Sequence, residues 1–268
     1  MDGRRRGRAF RPIRFVAMAK QHFINNWLDA RRPHGECPNL VVLSERPDAR
    51  KLVVPAVCKA VKDHLVGLAV IERIGGFKKA AKVIKNRLPT SKAIRSGDLG
   101  EILATEYVAQ KTTYTVPIKR LRHKDDRQTS MRGDDVIGIR SAKGRRVQVL
   151  KVEAKSRAAL ATAVIEEASA ALVKDSARPN PSTLAFISVR LREQGRDTEA
   201  ALVERLQQYD IKDLDIEHLL FTFSGNDPAN LLAPHAATPR RKAIVRHLVG
   251  LVVKDHQAFI KTVFERLG

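Results

Sequence analysis

Two β-rich runs constrain this chain more than any other stretch: Val136-Ile137-Gly138-Ile139, introduced by Arg132-Gly133-Asp134-Asp135, and residues 147–155, which end in Val152-Glu153-Ala154-Lys155. Strand side chains alternate faces. Val147, Val149, Lys151, Glu153 and Lys155 therefore share one face, and Leu150, Val152 and Ala154 share the other. The polar, glycine-containing connection Ser141-Ala142-Lys143-Gly144-Arg145-Arg146 is of the kind that joins antiparallel neighbours. A hairpin here brings Asp135 close to Glu153, with Lys155 beside them. Two carboxylates and an ammonium that converge are suited to holding a divalent metal and a water against a phosphate.

The rest of the chain reads mostly as helices. A basic arm, residues 1–14, precedes a helix over 15–30 that Pro33 and Gly35 stop, and 40–43 is a short peripheral strand. Pro55 opens a helix whose Val57, Val61, Leu65 and Leu68 form one face and which Gly75-Gly76 ends. A strongly basic helix follows over 77–88, with Lys78, Lys79, Lys82, Lys85 and Arg87 as either a solvated or a phosphate-facing surface. The pattern then predicts a helix at 96–110, a strand at 114–118 and the hairpin. Beyond it come an alanine-rich helix at 157–174, a helix at 182–191 whose apolar density also suits a strand, and a helix at 197–208. Residues 218–223 read as a buried strand, 226–239 as loop and 240–267 as a long amphipathic helix. His123 and His235 fall in loops, and His64 and His256 at the rims of amphipathic helices.

Charge narrows the partner. Of 268 residues, 50 are Lys or Arg against 29 acids, a net charge of +21 spread along the whole chain, which points to nucleic acid. No apolar run approaches the ~20 residues of a membrane span. Cys37 and Cys58 form no metal-binding spacing, the start lacks a secretory signal pattern, and a reducing cytoplasm is the expected compartment.

The order of elements, with Gly97-x-x-x-Glu101-x-x-Ala104-x-x-Tyr107, Tyr114, Gly133-Asp134-Asp135-Val136-Ile137 and Val152-Glu153-Ala154-Lys155, resembles the PD-(D/E)XK nuclease superfamily. The resemblance covers about half of the chain. It implies an α/β restriction-endonuclease-like core, an αβββαβ mixed sheet flanked by helices, with helical N- and C-terminal additions. The organisation expected is a basic helical region, 1–92, and a nuclease-like domain, 93–268, ending in an amphipathic helix. More narrowly, the chain is similar to the effector nucleases of the Hachiman antiphage defence system. That implies a DNase that associates with a helicase-type ATPase.

The roles implied by the resemblance fall on named positions. Asp135 and Glu153 would ligate Mg²⁺, with Mn²⁺ as a substitute, and the main-chain carbonyl of Ala154 would join them. Lys155 would orient or activate the attacking water, and Glu101 would contribute through a water or a second metal. Asp134 competes with Asp135 for the ligand role, and Asp135 is preferred because the apolar alternation starts directly after it. A helical wheel favours Glu106 over Glu101 as the helix acid, whereas family spacing favours Glu101. Lys119, Arg120, Arg122, Lys124, Arg127 and Arg132 flank the site and are the candidates for phosphate contacts. The competing reading is a noncatalytic nucleic-acid- or partner-binding module on a degenerate nuclease scaffold.

Overall fold

Runs rich in β-branched and aromatic residues line up as one mixed sheet in the computed structural model, which describes residues 22–33, 37–141, 146–208, 214–236 and 244–267. In chain order the elements are α1 (Ile24–Trp27), β1 (Leu28–Arg31), β2 (Leu40–Glu45), α2 (Ala49–Leu65), α3 (Leu68–Arg73), α4 (Phe77–Arg87) and α5 (Lys92–Lys111). A 3₁₀ turn (Arg120–His123) leads to β3 (Val136–Arg140), β4 (Val147–Arg157), α6 (Thr162–Val173), α7 (Pro181–Glu193) and α8 (Asp197–Gln208). The chain closes with β5 (Leu214–Ser224), α9 (Ala229–Leu232), β6 (Val245–Val252) and α10 (His256–Glu265).

The six strands run in the order β1-β2-β6-β5-β4-β3. The outer pairs β1/β2 and β3/β4 are antiparallel, and the inner neighbours are parallel. Helices cover both faces. Leu150, Val152, Phe221, Phe223, Val249 and Leu251 pack towards α2, α5 and α10. On the other face Val147, Val149 and Ile216 meet α7 and α8, while Leu220 and Leu248 meet α6 and α9.

Strands β3 and β4 form the expected hairpin, with residues 142–145 of its connection outside the described part. Several other expectations are corrected. Of the helix expected over 15–30, residues 22–30 show only the short α1 and then β1; the basic arm and residues 15–21 lie outside the described residues. The peripheral strand becomes β2, held between β1 and β6. Of the two, only β1 falls in a stretch expected to be helical, and the neighbourhood of both shares a hydrophobic cluster that runs from Phe23 to Leu267.

Pro55 does not open its helix; it sits exposed inside α2. An interior proline forfeits a hydrogen bond, and here Val53, Val54, Val57 and Val61, all buried, hold the helix together across it. That helix stops at Leu65, before Gly67 (φ +95°), where Asp63 accepts the Leu68 N–H at 3.0 Å. The strand expected at 114–118 is reduced to one bridge, Thr115 to Ile139, next to the donor-less Pro117. Strand β4 runs on to Arg157, so the alanine-rich helix begins only at Thr162. The loop expected at 226–239 contains α9. His64 and His256, expected at rims, are both buried.

The largest correction is at the C-terminus: instead of one long helix over 240–267 there are β6 and α10. A short apolar run buried on both faces cannot be assigned by periodicity alone. Leu248, Val249 and Leu251 are buried from both sides at the centre of the sheet. Gly250 shows how tight that centre is, because a Cβ added there would overlap Pro228 Cγ. Gly250→Ala is expected to cost about 1–3 kcal/mol, read as a lower urea midpoint with unchanged slope. An unchanged midpoint would contradict this packing.

Candidate functional site

The hairpin creates the site because β4 outlasts β3. Their register ends at Val136↔Val152, while β4 stays paired with β5 through Arg157↔Ser224. From Glu153 onward the outer edge of β4 has no strand beside it among the described residues. Asp135, one residue before β3, fills part of that gap, and its Oδ2 accepts the Ala154 N–H at 2.9 Å. In a strand a residue's N–H and C=O point to the same side. The Ala154 carbonyl is thereby turned to the same open edge.

Glu153 and Lys155 point to the α6 side. Lys155 Nζ stands 3.0 Å from Glu153 Oε1 and donates to Glu167 Oε1 of α6 at 2.8 Å. Burial pushes the Glu153 carboxyl up, the charge on Asp135 adds to it, and Lys155 pulls against both; the result is about 7. Asp135 is likewise raised by burial, opposed by Arg120, the Ala154 N–H and Lys155. Burial works against the Lys155 ammonium, but its bonds to Glu167 and Glu153 win and raise it.

Glu101 reaches the site from α5, which passes close to β4: a Cβ at Gly100 would lie 3.0 Å from Ser156 Cβ. Its two oxygens accept from Arg120 Nε at 2.7 Å and Nη2 at 2.9 Å. The same Nη2 donates to Asp135 Oδ1 at 2.9 Å, and Nη1 donates to the Arg132 carbonyl at 3.2 Å. One guanidinium therefore joins the helix acid to the strand acid. Burial pushes Glu101 up to about 7 against the pull of Arg120.

The neighbours of Arg120 are used in the same way. Lys119 pairs with Asp63 (2.7 Å) and Glu106 (3.1 Å), Lys124 with Asp98 (2.7 Å), and the partly buried Arg122 with Asp63 (3.1 Å). Lys119, Arg120 and Lys124, expected to meet phosphate, are instead buried cations that neutralise internal acids. Arg127 is spent on the carbonyls of Lys85 and Asn86, and the Arg132 side chain is exposed.

The members of each pair, Asp134 and Asp135, Glu101 and Glu106, stand in different surroundings. Asp134 is buried away from the edge: it accepts the Asn180 N–H at 2.6 Å, stands 3.4 Å from Lys151, and its own N–H goes to Thr183 Oγ1. Glu106 is held by His64 (2.9 Å), Lys119 and Gln110. Asp135 and Glu101 are the members of each pair that share Arg120. Glu167 and the buried relay Ser96–Ser156–His256 (2.8 and 3.0 Å) also adjoin the site. Sequence reasoning missed both, since each contact joins residues with no characteristic spacing.

Among the described residues no three His, Cys, Asp or Glu side chains form a group that could hold a metal ion. The available donors are the Asp135 and Glu153 carboxylates and the Ala154 carbonyl. Such hard oxygens fit Mg²⁺, which keeps several waters and takes only one or two carboxylates. Glu101 stands beside that set, joined to Asp135 through the Arg120 guanidinium. No helix among the described residues is long and apolar enough to cross a membrane.

The model of the HamA family matches residues 21–267. The Hachiman protein HamA of Bacillus cereus is 31% identical over 178 residues, which make up 66% of this chain and 62% of that relative. The match thus spans less than two thirds of the relative's length.

Proposed function

This chain belongs to the HamA family, and we propose that it is a metal-dependent DNA endonuclease of antiphage defence, controlled in the cytoplasm by a helicase-type ATPase partner. The observation that carries this reading is the meeting of Asp135, Glu153 and Lys155 at the open edge of β4. Mg²⁺, or Mn²⁺ in its place, held by Asp135, Glu153 and the Ala154 carbonyl, would offset the charge that builds at phosphorus and acidify a water. The chain's own residues do the rest. Lys155 holds its ammonium beside Glu153 and Glu167, where it can donate to a phosphate oxygen and stabilise developing charge. Arg120 fixes Asp135 through one oxygen and leaves Glu101 as its buried counter-charge. The fixed hydrogen bond from Ala154 positions the other oxygen.

The test is cleavage of supercoiled plasmid by the full chain, alone and with the proposed ATPase partner. Nicking or linearisation with Mg²⁺ that EDTA abolishes is expected. Absence of cleavage with Mg²⁺ and with Mn²⁺, in both settings, contradicts the reading.

One observation favours a second reading. Arg120 already compensates Glu101 and Asp135, as it would in a scaffold that has given up catalysis. Such a binding module would retain DNA in a salt-sensitive, EDTA-insensitive manner and cut nothing.

A further inference from the structure

Lys119, Arg120, Arg122 and Lys124 are consumed by internal ion pairs and Arg127 by carbonyls, which leaves Arg132 exposed near the site and a larger positive surface further off. Between Glu72 and Asp98 there are eight basic residues and no acid. The centre of this stretch is α4. Ala80 and Ile84 bury one of its faces, and Leu88 just beyond its end continues that contact. Lys78, Lys82 and Lys85, at spacings of four and three, form a stripe on the opposite face, with Lys79 at its margin. All four are exposed and, among the described residues, none pairs with a carboxylate.

Stability does not account for this stripe. Like charges three and four apart repel, and Lys78 and Lys79 stand in the first turn, where the helix dipole disfavours cations. The fold supplies acids to Lys119, Arg120 and Lys124, yet supplies none to α4.

The helix is also tied to the site. Arg87 Nη1 donates to the Lys124 carbonyl at 2.9 Å, and Arg127 Nη1 donates to the carbonyls of Lys85 (3.1 Å) and Asn86 (3.3 Å). Gln128 Oε1 accepts the N–H groups of Thr90 and Ser91, each at 3.2 Å. The loop that makes these bonds begins with the 3₁₀ turn of Arg120, whose guanidinium touches Asp135.

We propose that the exposed face of α4 is the surface on which duplex DNA rests, with Lys78, Lys82 and Lys85 taking phosphates of one strand that leads to the open edge of β4. This rests on the nuclease reading given above. At 1.5 Å per residue the stripe extends about 10 Å, against one phosphate per ~3.4 Å of duplex axis on each strand. Three lysines thus match about three phosphates. No base is read, so the surface is indifferent to sequence.

The test compares the full chain with its Lys78→Gln/Lys82→Gln/Lys85→Gln and Glu153→Gln variants. Binding of a short duplex is measured in EDTA between 50 and 200 mM salt, and plasmid cleavage with Mg²⁺ in parallel. The triple variant is expected to lower the slope of log affinity against log salt by about 2.7, which is 0.9 for each of three contacts. Its affinity at 50 mM salt is expected to fall at least tenfold, its melting temperature to stay level or rise, and Glu153→Gln to keep the parent's slope. Unchanged slope and affinity in the triple variant overturn the proposal, as do a parent that binds no duplex and a stripe needed only for vesicles containing phosphatidylserine. If Glu153→Gln stops cleavage while the triple variant binds and cuts like the parent, this surface is wrong and the nuclease reading stands. If the stripe carries binding but the parent never cuts, alone or with the ATPase partner, the surface stands and the nuclease reading fails.

Discussion

Replacing Arg120 with alanine is expected to lower the unfolding free energy by about 3–5 kcal/mol at pH 8, the cost of leaving a buried charge without its partner. Arg120 and Glu101 expose only 9% and 10% of their side chains, so solvent screens their pair little. The loss should shrink on acidification. Glu101 stands at about 7 in the fold, above its ordinary 4.5, so the fold binds more protons than the unfolded chain between those values. Stability therefore falls as pH rises through that window. Without Arg120 the folded value climbs further and the decline steepens. Urea unfolding at pH 8 and pH 5.5 should show a larger deficit at pH 8. Adding Glu101→Leu to Arg120→Ala should recover part of it, because the buried charge is then gone. A deficit below about 1 kcal/mol, within the range of an exposed ion pair, or one independent of pH, would show that the pair is not buried as described.

The second large effect is on cleavage. Glu153→Gln and Asp135→Asn are each expected to reduce Mg²⁺-dependent cleavage on the order of a thousandfold, and Lys155→Ala about a hundredfold or more, by removing groups that act on the transition-state charge. Glu153→Gln should at the same time leave stability level or slightly raised, since burial and the charge of Asp135 both work against its carboxylate. Loss of rate without loss of stability is the signature of a functional group. A variant that cuts at the parent's rate removes its residue from the site.

What the sequence made legible was local. Alternation in residues 147–155 was enough to put Glu153 and Lys155 on one face, and the hairpin followed from the polar connection before Val147. What it hid was non-local. Lys119, Arg120 and Lys124 look like a phosphate-binding run until Asp63, Asp98, Glu101 and Glu106 arrive from two earlier helices to pair with them. The wheel argument for Glu106 identified a buried position correctly, yet burial there serves His64 and Lys119. The C-terminal strand was invisible for a related reason: Leu248 to Leu251 shows no polar face because helices cover both sides of the sheet there. Strand β2 was legible as a short apolar run, but its place inside the sheet between β1 and β6 was not, and β1 was hidden in a stretch read as helix.

On the proposed function, Asp135 and Glu153 hold one divalent cation at the open edge of β4. Calorimetric titration of Mn²⁺ into the full chain and into Asp135→Asn and Glu153→Gln tests it most directly. One site per chain is expected, with an affinity that falls at least about tenfold in each variant, at least the loss seen when an outer-sphere partner is removed. Equal binding by all three proteins, or no binding by the parent, would contradict it.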